Sequence, residues 1–290
     1  MRITDLGLFS GEIELASFSL LKESTRSTYM VRKITGLDAE EITPKFYAFG
    51  KTTGKRFYDF GLRARDIVMN IILNPNFGFS ESYSDLRDNL YSGIAAQRSG
   101  LVTLRFNSGG ATVSQLNGFV TKIEVDYFDN KPAMQMTFRC DDPMFRGLAP
   151  VKLVGAEIPP PNPLYIPDSQ SSAPHGVLLN FTVTAAVNSL ILQDAAANPD
   201  WVFEVFPNPT VGTFAVNPQF AVGDKIVLSS EYSDKYVYMI RGGVTSYLSD
   251  KITVGSIWPV IFPGQNALYL GTPAAFTVDQ IMYYPAYWGI

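Results

Sequence analysis

Between Asp66 and Leu73 the residues Ile67, Met69, Ile71 and Leu73 alternate with Val68, Asn70 and Ile72. That pattern predicts a strand with one face buried and the other half covered. Val102, Leu104 and Phe106 alternate with Thr103, Arg105 and Asn107, which predicts a strand with one dry and one wet face. Ile123, Val125 and Tyr127 keep one phase, and Met134, Met136, Phe138 and Cys140 keep another beyond Asp129-Asn130-Lys131-Pro132, so these two runs form a hairpin. From Ser80 to Gln97 the period changes. Tyr83, Leu86, Leu90 and Ile94 make one stripe of an amphipathic helix, opened by Ser82 and Asp85 in capping-box spacing. A single such helix must bury its stripe on a sheet, and its expected place is across an open end or side of a strand barrel.

Residues 155–174 (GAEIPPPNPLYIPDSQSSAP) are rich in proline and serine, which predicts a stretch without sheet pairing. The expected organisation is therefore a first domain over 1–152, a linker over 153–175 and a second domain over 176–290. Beyond the linker, short strands are expected at Leu178–Thr184, Trp201–Pro207, Lys225–Ser230, Tyr236–Arg241 and Phe276–Tyr284, with turns at Gly242-Gly243 and Pro263-Gly264. The fold class expected is all-β with one α-helix.

Composition sharpens this reading. Twenty Phe, 15 Tyr, 23 Gly and 19 Pro in 290 residues favour many short strands and tight turns. A net charge of −4 gives no basic footprint for phosphate neutralisation, which argues against nucleic-acid binding and suits a channel wall past which DNA slides. One cysteine and one histidine leave no disulfide framework, no cysteine-rich zinc site and no multi-histidine metal site. No segment is long and apolar enough for a membrane helix, and the start carries no secretory pattern.

Several segments in order resemble the distal tail proteins, the Dit family, of long flexible-tailed bacteriophages. Val31 to Ile42 (VRKITGLDAEEI) is similar to the family's "ITGLDAPEI" strand and turn, and Leu86-Arg87-Asp88-Asn89-Leu90 to its L-R-x-x-L helix core. Phe138 to Phe145 (FRCDDPMF) resembles its "F-x-A-x-D-P-x-F" segment. Gly223-Asp224, Trp258-Pro259, Pro263-Gly264-Gln265-Asn266 and Val278 to Tyr284 follow the order of its second half. Residues 1–29 and Ala48 to Phe60 depart from the pattern. The resemblance implies a split β-barrel that assembles into a hexameric ring, and a galectin-like β-sandwich projecting from it. It implies a structural virion protein at the distal tail of a siphophage, assembled in the host cytoplasm and serving as a baseplate hub in host attachment. Its partners would be its own copies, the tail tube protein, the tail-tip hub protein, and side fibres or a receptor-binding protein. The tape measure and DNA would pass through the lumen without specific binding.

The chemistry-bearing residues are sparse. His175, in Ala-Pro-His-Gly, reads as a solvated linker residue, and Cys140, in phase with Phe138, as a buried small hydrophobe. Asp141-Asp142 reads as a turn cap, and Gly109-Gly110 and Gly242-Gly243 as hairpin turns. No catalytic, cofactor or metal residues are assigned, and the chain is read as a non-enzyme. Phe46, Tyr47, Phe49, Arg56, Phe57, Tyr58 and Phe60 are candidates for a subunit interface, weighed equally against an ordinary core hairpin. The alternative function is a carbohydrate-binding module contacting host surface glycans, with Trp258, Tyr269 and Trp288 as candidate contacts, set against a core or edge role for the same rings.

Overall fold

The computed structural model describes residues 3–10, 13–20, 27–38, 43–48, 55–61, 64–75, 82–95, 100–126, 133–158, 163–168, 170–194, 213–216, 220–232, 234–253, 256 and 258–290. Its first strands are β1 (Asp5–Ser10), β2 (Ile13–Leu20), β3 (Tyr29–Thr35), β4 (Thr43–Ala48), β5 (Lys55–Gly61) and β6 (Arg65–Leu73). Helix α1 (Tyr83–Ala95) follows, then β7 (Val102–Ser108), β8 (Ala111–Asp126), β9 (Ala133–Cys140) and β10 (Phe145–Arg146). The rest comprises β11 (Val151–Val154), β12 (Leu164–Asp168), β13 (Leu178–Val183), β14 (Leu190–Asp194) and β15 (Thr213–Val216). It ends with β16 (Lys225–Glu231), β17 (Asp234–Arg241), β18 (Val244–Tyr247), β19 (Gly264–Leu270), β20 (Phe276–Tyr283) and β21 (Ala286–Tyr287). Two compact units result. One holds Met1–Lys45, Asp59–Leu148 and Tyr287–Ile290, and the other Phe46–Tyr58 and Ala149–Ala286.

In the first unit, alternation sends every second side chain inward: Ile67, Met69 and Ile71 of β6 and Leu104 and Phe106 of β7 are fully buried. The strands run β8-β7-β1-β2-β3-β6-β9, and β9 pairs back onto β8, so seven strands close into a barrel. Strand β8 makes the closure. Its first half, to Gly118, pairs with β7, and its second half, from Phe119, pairs with β9. Gly118 is the corner, because a Cβ there would overlap the Arg139 carbonyl. The β7–β8 turn is Gly109-Gly110 with φ of 60° and 84°, the left-handed pair that a two-residue hairpin requires. Helix α1 buries Leu86 and Leu90 in the same core. Its start is capped reciprocally: Ser82 N–H donates to Asp85 Oδ2 at 2.9 Å, and Asp85 N–H to Ser82 Oγ at 3.3 Å.

The second unit packs two sheets on one core. The six-stranded sheet runs β11-β20-β13-β16-β17-β18 and the four-stranded sheet β12-β19-β14-β15. Leu179, Phe181, Ile226 and Val237 from the first meet Leu164, Ile166, Leu190 and Leu268 from the second, all buried in one cluster. Gly242-Gly243 makes the β17–β18 turn, with φ of 56° and 82°. The start of β16 is tied to the end of β17, where Arg241 clamps the buried Asp224 carboxylate at 2.8 and 2.6 Å. That hydrogen bonding holds the Asp224 carboxyl below its ordinary range despite burial.

One expectation fails here. Residues 155–174 were expected to lie outside any sheet, yet β12 pairs along its whole length with β19, Pro167 standing opposite Gln265. The reason is position: β12 is the edge of its sheet, where a proline's missing N–H can face away from the ladder. The strand expected at Trp201–Pro207 lies outside the described residues, as does the turn of the β8–β9 hairpin.

Candidate functional site

Two buried polar constellations stand out against these apolar cores. In the first unit, Arg65 opens β6 in phase with Ile67 and Met69, so its side chain turns inward and is fully buried. The guanidinium donates to four main-chain carbonyls: Pro143 at 2.6 Å, Gly36 at 2.7 Å, Asp38 at 2.6 Å and Trp288 at 2.7 Å. Its carbon lies 4.6 Å from the centre of the Phe145 ring. Three separate chain segments, around residues 36–38, 143–145 and 288, are thereby fastened to the start of one strand. Ile290 N–H adds a bond to the Leu37 carbonyl at 3.2 Å. With its donors turned to the main chain, Arg65 fastens the unit and presents no charge to a ligand.

In the second unit, His175 corrects the reading of a solvated linker residue: its side chain and that of Asp168 are wholly buried. The error has a physical cause. Asp168 ends β12 in phase with the buried Leu164 and Ile166, so the strand that was not expected carries the histidine's partner inward. His175 Nε2 lies 3.0 Å from Asp168 Oδ2, and Nδ1 lies 2.8 Å from the Gly176 carbonyl. Asp168 Oδ1 also accepts the Gln170 and Ser171 N–H groups at 3.2 and 3.0 Å. The Tyr283 ring stacks on the imidazole at 4.9 Å, and its hydroxyl donates to the Pro167 carbonyl at 2.6 Å. The carboxylate–imidazole pair is sealed in the core with a tyrosine beside it, which makes it a structural network and not an acid–base device open to substrate.

Burial first, and the Asp168 charge second, push the Tyr283 phenol up to about 12. Because the folded state favours the neutral phenol, its contribution to stability is complete below the ordinary tyrosine value, about 10, and is lost as pH rises through about 12. Tyr283→Phe removes that titration. Its urea midpoint is expected to fall less between pH 9 and pH 11.5 than that of the unaltered protein; an equal or steeper fall would contradict the assignment.

The aromatic residues singled out from sequence fall in different places. Phe46 and Tyr47 lie on β4, and Arg56, Phe57, Tyr58 and Phe60 on β5, and these two strands pair as a small sheet of their own. The side chains of these six, and Phe49 altogether, lie outside the described residues. Trp258 packs half-buried on the second core, Tyr269 stands 37% exposed on β19, and Trp288 belongs to the first unit.

No family model and no curated protein matches this chain. Solved structures do. The Dit protein of phage SPP1, described as a paradigm of the hub adsorption apparatus in phages infecting Gram-positive hosts, aligns with 97% of this chain and 98% of its own at a TM-score of 0.59 and 12% identity. The chain has the Dit fold. Two structures of the phage p2 baseplate in its activated conformation, with Sr and with Ca, align at TM-scores of 0.46 with 10% and 9% identity, covering 97% and 98% of this chain.

Within this Dit fold, sequence reading placed Cys140 correctly. It is fully buried on β9, and burial, only partly opposed by the Arg65 charge, pushes its thiol up to about 12. The native protein is expected to resist a disulfide-exchange reagent such as DTNB at pH 8 and to release one equivalent of thiolate only in denaturant. Labelling of the native protein within minutes would contradict this placement. Sequence reading missed the tyrosines of β17 and β18. In Asp234–Arg241, Val237 and Met239 are buried, so Tyr236 and Tyr238 face outward beside Tyr247, which is 71% exposed. The signal was present as two tyrosines out of phase with the apolar face of their own strand.

Proposed function

We propose that this chain is a structural subunit of a phage tail hub, whose copies close into a ring at the distal end of the tail. The observation that carries this reading is the end-to-end fold match to the SPP1 Dit protein, spanning both units of the chain. In this reading residues 1–152 form the ring, residues 176–290 project from it as a galectin-like sandwich, and residues 153–175 join them. The ring is a hexamer. Its faces contact the tail tube protein and the tail-tip hub protein, and its rim holds side fibres or a receptor-binding protein. The tape measure and then DNA pass through the lumen, which the net charge of −4 suits because it disfavours phosphate binding. The protein assembles in the host cytoplasm, ends in the virion and performs no catalysis. The β4–β5 sheet, which carries Phe46, Tyr47, Arg56, Phe57, Tyr58 and Phe60, is the candidate subunit contact together with Phe49 of the sequence.

Light scattering of the purified protein near neutral pH, over a range of concentrations, tests the ring. A mass of six chains is expected. A single-chain mass persisting at the highest concentration, with no ring by electron microscopy after addition of the tail tube protein, would refute it.

A further inference from the structure

The edge of a sheet exposes a row of main-chain groups, and proteins blunt such rows with a charge, a proline or a bulge. In the second unit β12 carries Pro167 and β11 carries Lys152. Strand β18, the other edge of the six-stranded sheet, carries none of these. Its sequence is Val-Thr-Ser-Tyr, its pairing with β17 is regular, and all four residues are exposed, Val244 at 66%.

The register fixes which main-chain groups are free. The Gly242-Gly243 turn closes on the pair Arg241–Val244, so hydrogen-bonded pairs recur from there at Met239–Ser246 and Val237–Leu248. The Leu248 N–H donating to the Val237 carbonyl at 2.9 Å keeps that alternation. Thr245 and Tyr247 therefore turn N–H and C=O away from β17, and no bond to these four groups occurs among the described residues. They repeat about 6.8 Å apart, the spacing of alternate residues on an extended strand. An extended main chain is the ligand that matches donors and acceptors in that line.

We propose that β18 is a docking edge, to which an extended, uncharged segment of another tail protein adds as a seventh strand of the sheet. In the tail hub proposed above, on which this assignment rests, the edge is where a rim partner is held. The surroundings set the chemistry of the segment. The charges next to β18 in the chain are already paired, Arg241 with Asp224 at 2.6 Å and Asp250 with Lys251 at 3.0 Å, so the edge offers a charged segment nothing. On the outer face Tyr247 meets Tyr238 at 6.0 Å, and Tyr236 stacks on Tyr238 at 5.5 Å, which raises an aromatic wall beside the path of the added strand. The residue standing opposite Tyr247 is therefore apolar or aromatic. A second copy is the poorer occupant. β18 against its own counterpart makes a twofold contact, whereas copies in a closed ring meet through two different surfaces. A neighbour's β11 would bring Lys152 to the edge.

Hydrogen exchange read by mass spectrometry, on the purified chain and on intact virions, tests the docking edge. The Thr245 and Tyr247 amides are expected to exchange freely in the purified chain and at least tenfold more slowly in virions. Thr245→Pro removes a donor that β17 does not use, and Val244→Lys puts a charge on the edge at an exposed position. Both variants should keep the circular dichroism and oligomeric mass of the unaltered protein and give virions that lack one tail protein, which identifies the partner. Equal exchange in both forms, or variant virions with the full set of tail proteins, overturns the docking edge, while the presence of the chain in those virions upholds the hub. Slow exchange already in the purified chain overturns it too and assigns the edge to a second copy. A chain absent from virions removes the hub reading, and this assignment with it.

Discussion

Arg65→Leu is expected to lower the stability of the barrel unit by about 3–5 kcal/mol, the largest effect of any single substitution considered. Leucine fills much of the volume but donates nothing, so the carbonyls of Gly36, Asp38, Pro143 and Trp288 lose a charged donor in the interior. Leaving buried acceptors unmade costs more than the net worth of the bonds themselves. Arg65→Lys keeps the charge but has one compact ammonium in place of a planar fork, and cannot reach carbonyls spread around it; it should recover less than half of the loss. Urea unfolding monitored by circular dichroism measures both variants, fitted with two transitions if the units melt separately. A leucine variant within about 1 kcal/mol of the unaltered protein would mean that the guanidinium is replaceable and that the three fastened segments hold without it.

The strands that sequence reading found were those whose faces differ. In β6, β7 and β9 the apolar residues keep strict alternation, and in each the structure buries the predicted face. Helix α1 was legible for the same reason at a different period, with Leu86 and Leu90 at its buried stripe and Ser82 at its cap. What stayed hidden were features set by partners far along the chain. Barrel closure depends on β1, which pairs with the distant β7, and nothing local in residues 1–29 announces that pairing. Strand β12 was lost because Pro167 argues against pairing everywhere except at an edge, and edge position is a property of the finished sheet. Arg65 and Asp168 were lost for a third reason. Composition marks them as surface residues, whereas phase marks them as inward, and phase decided both times.

Asp168→Ala is expected to lower the stability of the sandwich unit by about 3 kcal/mol, while Asp168→Asn should lower it by about 1 kcal/mol or less. The two differ in what they leave behind. Alanine leaves the Gln170 and Ser171 N–H groups at the margin of the core without their acceptor and removes the partner of the buried His175 Nε2. Asparagine can satisfy every group if Nε2 serves as the acceptor. Its Oδ1 can accept both backbone N–H groups, its Nδ2 can donate to Nε2, and Nδ1–H can go on donating to the Gly176 carbonyl. In the unaltered protein the Asp168 carboxyl faces Nε2 and the Gly176 carbonyl faces Nδ1, so the imidazole is held at both nitrogens by oxygens. Urea unfolding followed by circular dichroism should therefore place the asparagine variant close to the unaltered protein and the alanine variant at a clearly lower midpoint, with the fold intact in both. If asparagine is as damaging as alanine, the amide does not replace the carboxyl, and hydrogen-bond geometry alone does not hold the network together.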